Sequence, residues 1–260
     1  MAEELGVLLD IDGVLYVGDE PVAGAQDALA ALRLGSAGVR LLTNTTSRSR
    51  REVHEHLLEL GFEAAHEEVL TPAAMAVAHC RERGYESVAL MVGDALREDL
   101  DSLKESAPGE HPEAVILGDL GDGFTAEAMN GAFRMLMDGA ELIALQHNRY
   151  WRRHDGLVLD VGAYAAALEY AAGTEGVTVG KPARAFFGAA LGDIPVAHAV
   201  MVGDDIEADV GGAMAAGLLG VLVRTGKYRE DALASSGVEP TAVVDSIADV
   251  PELLSRLQPA

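Results

Sequence analysis

The run Gly6-Val7-Leu8-Leu9-Asp10-Ile11-Asp12-Gly13 constrains this chain more than any other, because it puts two carboxylates into an otherwise apolar strand. Val7, Leu8, Leu9 and Ile11 read as a parallel strand buried on both faces. Unpaired charge is expensive to bury there. Side chains at positions 10 and 12 bracket one residue and share a face of the strand, and a site that serves both is expected where the strand ends and the backbone turns. Gly13 permits that turn. In open α/β sheets, ligands bind at the carboxyl ends of the strands. The segment therefore predicts a nucleophilic Asp with a second Asp for proton transfer, set against the plainer reading of a solvated acidic turn.

The rest of the chain alternates between strand-like and helix-like segments. Strands are expected at 6–11, Val39 to Leu42, Ser87 to Val92, Glu113 to Leu117, Glu141 to Leu145, Val196 to Val202 and Leu219 to Val223. Helices are expected at Asp27 to Leu34, Ser49 to Leu60, Ala126 to Met137 and from Thr71-Pro72 through Arg83, where Thr caps and Pro opens the first turn. This order predicts a parallel sheet covered by helices. Ser106 to Pro112 is the most loop-like stretch, and the last residues are expected to fray.

The 260 residues suffice for one large domain or two modest ones. At 49% hydrophobic, the chain can bury a sizeable core. No apolar run reaches the roughly 18 residues that span a bilayer, and no signal-peptide pattern opens the chain, so a soluble, cytoplasmic protein is expected. The single Cys80 excludes an intrachain disulfide and any Cys-based zinc site. A net charge of −23 argues against nucleic acid and anionic membranes as partners. An anionic substrate must then find local positive charge, from a metal ion, lysines or helix N-termini.

Three more polar clusters lie where strands should end. Thr43-Asn44-Thr45 follows Val39 to Leu42; a hydroxyl and turn amides there can hold phosphate oxygens, or merely cap the next helix. Gly180-Lys181-Pro182 precedes a helical run, Ala183 to Leu191, with Pro182 expected at its first position. A cation there opposes the helix dipole, so an anionic ligand explains it better than stability does. Gly203-Asp204-Asp205 closes a third apolar strand, with Asp209 one helical turn on. Asp10, Asp12, Asp204 and Asp205 together would repel one another without a divalent cation, and hard oxygen ligands favour Mg²⁺. Asp209 has a plausible structural role near a helix start. His54 and His56, among charged neighbours, read as surface residues, and Asp94 as a loop acid.

Asp10-Ile11-Asp12-Gly13, Thr43, Lys181 and Gly203-Asp204-Asp205 with Asp209 resemble, in order and spacing, motifs I to IV of the haloacid dehalogenase superfamily. The long interval between Thr43 and Lys181 resembles its subclass IIA, whose members carry a C2-type cap between motifs II and III. Thr43 to Thr46, Asn148-Arg149-Tyr150, Ala167 to Tyr170, Val179 to Pro182 and Val223 to Tyr228 resemble the phospholysine phosphohistidine inorganic pyrophosphate phosphatase group and its haloacid-dehalogenase-like-domain relatives.

The resemblance implies an α/β fold: a Rossmann-like parallel-sheet core from residues 1–79 and 179–260, with an inserted α/β cap over 80–178. It implies that Asp10 is the nucleophile and that Asp12 protonates the leaving group and then activates water. Thr43 and the following amide would hold the phosphoryl group, with Gly13, Asn44 and Lys181 at the phosphate. Mg²⁺ would be held by Asp10, the Asp12 carbonyl and Asp204, with Asp205 and Asp209 as partial or outer ligands. A small phosphorylated substrate and, by analogy with related caps, a homodimer are implied.

The cap should set specificity. Asn148 and Arg149 open a basic, aromatic knot, through Tyr150-Trp151-Arg152-Arg153, suited to an anionic or planar leaving group or simply forming a β-hairpin. Gly121-Asp122-Gly123 reads as a cap turn reaching towards the active site. The leading expectation is a Mg²⁺-dependent phosphatase. An inorganic pyrophosphatase or phosphoamidase would use the same residues, and a catalytically silent binding module would need no nucleophile. The second Asp of the first motif separates this pattern from dehalogenases.

Overall fold

The computed structural model describes residues 5–107, 109–153 and 156–257, with Arg152 and Arg153 described in backbone only. In chain order its strands are β1 (Gly6–Asp10), β2 (Tyr16–Val17), β3 (Glu20–Pro21), β4 (Gly38–Leu42), β5 (Val69–Leu70), β6 (Val88–Met91), β7 (Ala114–Leu117), β8 (Glu141–Ala144), β9 (Tyr150–Arg153), β10 (Gly156–Leu159), β11 (Val177–Thr178), β12 (Ala199–Gly203), β13 (Leu219–Val223) and β14 (Ala242–Val244). The α-helices are α1 (Ala25–Leu34), α2 (Arg50–Glu59), α3 (Pro72–Arg83), α4 (Ala126–Met137), α5 (Val161–Ala172), α6 (Arg184–Leu191), α7 (Gly212–Ala216), α8 (Glu230–Ser236) and α9 (Val250–Leu257). The chain divides into two compact units. The first comprises 1–43, 51–70 and 181–260; the second comprises 44–50 and 71–180.

The first unit is built on a six-stranded parallel sheet in the order β14-β13-β12-β1-β4-β5. β1 lies at its centre, paired with β12 on one side and β4 on the other, and every residue of β1 is buried. That is why the segment reads as a continuous apolar run rather than an alternating one. Val7, Leu9, Val39, Leu41, Val200, Val202, Val221 and Val223 form one core with α1 and α9 residues such as Leu29, Leu32, Val250 and Leu254. On the opposite side Phe186 and Phe187, from α6, are fully buried. The chain order places the carboxyl ends of β13, β12, β1 and β4 side by side, where a parallel sheet of this kind offers its ligand crevice.

The second unit has its own four-stranded parallel sheet, β11-β8-β7-β6, and a separate antiparallel hairpin, β9-β10. Residues along its strands alternate between two cores. Ala114, Ile116 and Ile143 pack with Ala73, Ala76, Val77 and Cys80 of α3. Val115, Leu117, Leu142 and Ala144 pack with Ala132 and Leu136 of α4 and Ala165 and Leu168 of α5. The expected division at 80 and 178 therefore differs from the observed units: α3 belongs to the second unit, because its apolar face is buried on that sheet, and residues 44–50 go with it.

Helix ends follow their capping chemistry. Thr71 accepts from the Ala74 N–H at 3.4 Å with Pro72 behind it, and Gly84 closes α3 with φ 72°. The strand expected from Val196 starts only at Ala199, since Val196–His198 form a 3₁₀ turn closed by His198 N–H donating to the Pro195 carbonyl at 2.9 Å. α6 starts at Arg184, so Pro182 lies before the helix rather than at its first position. His56 is not a surface residue: its ring packs edge-on to Tyr16 with centroids 5.0 Å apart, and His54 Nε2 lies 2.9 Å from the Ala64 carbonyl. Asp94 opens a 3₁₀ segment, Asp94–Leu100, and pairs with Arg97 at 3.7 Å. The described residues of the expected loop 106–112 form no helix or strand; Pro108 and the expected fraying at 258–260 lie outside the described residues. No helix of the described residues is long and apolar enough to cross a membrane.

Leu9 is fully buried at the centre of the larger sheet. Leu9→Ala is expected to cost about 2–5 kcal/mol in urea unfolding of the first unit; a cost under about 1 kcal/mol would contradict this placement.

Candidate active site

Lys181 is the buried cation around which the strand ends meet. Its Nζ lies 2.5 Å from Asp10 Oδ1, at the end of β1, and 2.7 Å from Asp209 Oδ1. Burial pulls the ammonium pKa down, but Asp10 and Asp209 push it further up, so the net shift is upward and Lys181 stays charged. Gly203, the last residue of β12, lets Asp209 come this close: a Cβ at Gly203 would lie 2.2 Å from Asp209 Cβ. Asp209 reaches this position from a π-helical turn, Ile206–Gly211, that runs into α7, and its Oδ2 also accepts the Asp205 N–H at 3.1 Å.

Asp204 completes the group. Its Oδ2 accepts the Lys227 N–H at 2.6 Å, while its Oδ1 is buried with no hydrogen-bond partner among the described residues. One oxygen from each of Asp10, Asp204 and Asp209 lies within 4.8 Å of the others. Three buried carboxylates face one buried ammonium, and the exposed Lys227 ammonium acts on them only from a distance, which leaves an excess of negative charge. Burial first, then the Asp10 carboxylate, raise Asp204 to about 8 and Asp209 to about 7, far above the usual carboxylate range. An orphaned carboxylate oxygen in a cluster of hard oxygen donors fits a small divalent cation.

Asp12 and Thr43 stand apart from that cluster but beside each other. Asp12 is exposed, and Thr43 Oγ1 donates to its Oδ2 at 3.3 Å. Gly13 turns with φ 89°, and a Cβ there would sit 1.9 Å from Asp204 Oδ2. The expected roles of Asp205 and Asp209 are exchanged. Asp209 belongs to the carboxylate cluster, whereas Asp205 caps the helical turn, its Oδ1 accepting the Glu207 and Ala208 N–H groups at 3.0 Å each. Asp10, Asp12, Gly13, Thr43, Lys181, Asp204, Asp205 and Asp209 all belong to the first unit; Asn44, Asn148 and Arg149 belong to the second.

Sequence reasoning assigned the turn after β13 no role at the site, although Val223 to Tyr228 carries part of the family resemblance. Thr225 Oγ1 donates to the Gly13 carbonyl at 2.5 Å, and Gly226 and Lys227 back onto Asp204. The available signal was Thr-Gly-Lys directly after an apolar strand, a polar, Gly-containing stop.

Within the second unit, Gly121–Gly123 form a short 3₁₀ turn on the wall of a cavity of about 290 Å³. Asp119, Asp122 and Trp151 line it together with Phe124 and Tyr164, whose rings stack 3.6 Å apart at 5°. Tyr150 and Trp151 do lie in a β-hairpin, and both remain substantially exposed.

A family model described as haloacid dehalogenase-like hydrolase matches residues 7–104, and a second, related hydrolase model matches residues 178–250. The chain belongs to the haloacid dehalogenase-like hydrolases. Within them it falls in subclass IIA. It is 41% identical over 257 residues to the human (Homo sapiens) phospholysine phosphohistidine inorganic pyrophosphate phosphatase, covering 96% of this chain and 93% of that protein. Its fold matches the p-nitrophenyl phosphatase from Archaeoglobus fulgidus with a TM-score of 0.89 at 29% identity, over 96% of this chain and 99% of that one. It also matches the glycerol phosphate phosphatase from Mycobacterium tuberculosis in complex with magnesium, with a TM-score of 0.84 at 28% identity, over 99% of this chain and 80% of that one.

The raised carboxyl pKa values fix the sign of a pH effect in cation-free buffer. A carboxyl group that holds its proton more tightly folded than unfolded destabilises the fold as pH climbs from about 4, the unfolded value, through its folded value. Asp204 and Asp209 therefore predict a loss of stability between about pH 4 and about pH 8. Thermal unfolding in chelator is expected to show the midpoint falling across that range, at roughly 2–4 °C per kcal/mol for a chain of this size. A saturating divalent cation should remove most of the fall, and a midpoint flat with pH in chelator would contradict the buried cluster.

Proposed function

We propose that this chain is a Mg²⁺-dependent phosphatase of small phosphorylated molecules, acting through a phosphoryl group carried on Asp10. The observation that carries this reading is the Lys181 ammonium held on Asp10 Oδ1, which orients the carboxylate and leaves Oδ2 for attack. In the first step Oδ2 forms a bond to phosphorus while the bond from phosphorus to the leaving-group oxygen breaks. Asp12, exposed and oriented by the Thr43 hydroxyl, gives that oxygen its proton. In the second step Asp12 takes a proton from water as the water oxygen attacks phosphorus. The Asp10–phosphorus bond breaks, orthophosphate leaves, and both carboxyl groups return to their starting states.

Asp10, Asp204 and Asp209 are the residues that would hold Mg²⁺, which supplies neutralisation of the phosphoryl oxygens. The relative from Mycobacterium tuberculosis, crystallised with magnesium and also with calcium, supports a divalent ion here. Lys181 does not substitute for the ion, because its charge is taken up by Asp10 and Asp209. Leaving-group selection falls to the second unit, read as the cap; its acidic and aromatic cavity and the Asn148-Arg149 segment are the features available for it. The phospholysine phosphohistidine inorganic pyrophosphate phosphatase relative, similar over nearly the whole chain, supports a second reading in which the bond broken is a phosphoamide or a pyrophosphate. Asp10, Asp12 and Lys181 would serve either leaving group unchanged.

Orthophosphate release from phosphate monoesters, phosphoamidates and pyrophosphate, with Mg²⁺ and with chelator, separates the two readings. Asp10→Asn is expected to reduce release roughly 10⁴-fold or more with every substrate. Asp10→Asn turning over at the wild-type rate would remove Asp10 as nucleophile. Preference for monoesters over pyrophosphate and phosphoamidates would decide for the first reading.

A further inference from the structure

We infer that the turn after β13, Thr225-Gly226-Lys227, is a positioning element for the cation site: it fixes the Asp204 carboxylate and the Gly13 loop against each other. The inference rests on the reading of Asp204 as a Mg²⁺ ligand. Each of the three residues makes a different contact. The Thr225 hydroxyl donates to the Gly13 carbonyl at 2.5 Å. Gly226, with φ 60°, lies so close that a Cβ on it would be 2.0 Å from Asp204 Oδ2 and 2.6 Å from Gly13 Cα. The Lys227 backbone N–H donates to Asp204 Oδ2 at 2.6 Å.

Gly13 is thereby held on every side. Its own N–H donates to the Tyr16 carbonyl at 2.7 Å, its carbonyl accepts from Thr225, and its Cα faces Gly226. The loop that turns away from the nucleophile strand is locked in register with the carboxylate on the neighbouring strand. Asp204 Oδ2 is tied down by the Lys227 amide while Oδ1 remains without a hydrogen-bond partner among the described residues, so the carboxylate presents one defined oxygen to the cluster with Asp10 and Asp209. A carboxylate already ordered loses less freedom when it takes a cation. The side chain of Lys227 is exposed and lies 3.8 Å from Asp205 Oδ2; its hydrogen bond to Asp204 is made by the backbone, and its ammonium acts on that carboxylate only through space. Thr225 is therefore the residue whose side chain carries the effect, acting through Gly13 and Asp204 rather than on substrate.

The test is Mg²⁺ binding measured by titration calorimetry on wild type, Thr225→Val, Thr225→Ser, Gly226→Ala and Asp204→Asn, each first shown to be folded by circular dichroism and cation-free thermal unfolding. Thr225→Val is expected to raise the Mg²⁺ dissociation constant roughly three- to tenfold, the scale of one hydrogen bond. Thr225→Ser, which keeps the hydroxyl, is expected within about twofold of wild type by the same measure. Gly226→Ala should weaken binding further than Thr225→Val, since its methyl group displaces Asp204. Activity of Thr225→Val should fall at limiting Mg²⁺ and recover at saturating Mg²⁺. A purely structural role would lower the folded fraction, read as stoichiometry, and leave the dissociation constant unmoved. Thr225→Val with wild-type affinity, while Asp204→Asn loses binding, would overturn the positioning role and leave the metal reading standing. Asp204→Asn with wild-type affinity would overturn both.

Discussion

A buried ammonium between two carboxylates is the constraint on which the rest of the site depends. Without Lys181, Asp10 and Asp209 would be buried charges with no ammonium in contact with them, and removing one partner of such a group is far more damaging than its net stabilisation suggests. The ammonium satisfies only part of the negative charge, however. Asp204 remains, with one oxygen unpartnered, in a protein whose overall charge is already −23. The first unit is thus built with a local deficit of positive charge at the ends of β1 and β12, and a divalent cation is the simplest species that corrects it.

Much of this was legible in the amino-acid sequence, for a physical reason. Charged residues at the ends of fully apolar strands stand out, because the strand predicts burial and the charge forbids it unless something answers. Asp10 and Asp204 are of this kind, and Lys181 stands out instead by opposing the dipole of the helix it precedes, so the parallel sheet and its working edge could be read together. The exchange of Asp205 and Asp209 was not legible. Both are acids close to a helix start, and only the path of the π-helical turn over Gly203 decides which one caps the turn and which one reaches Lys181. The placing of α3 is a similar case: no local signal says that Ala76 and Cys80 pack against Ile116 and Ile143. The Thr225 hydroxyl bonds to a carbonyl 212 positions away, a relation that composition and periodicity cannot carry.

The two units solve the same packing problem differently. In the first, the central strand is buried on both faces and closes on a polar edge that four neighbouring strands share. In the second, the alternating faces of a smaller sheet are covered by α3 on one side and by α4 and α5 on the other. Among the described residues, each sheet pairs only its own strands.

The separation of the partners along the chain has a consequence for synthesis. Asp10 and Lys181 are 171 residues apart, and Asp204, Asp209 and the turn at Thr225 come later still. During translation Asp10 emerges long before its counter-ion, and β1 must wait for β12 to be made before its second neighbour exists. The strands of the second unit are complete by then and can pair among themselves. A ribosome-bound chain that has not yet reached Lys181 carries Asp10 without compensation and has no cation site to offer. Competence to bind metal therefore arrives late and all at once, with the closing of the larger sheet.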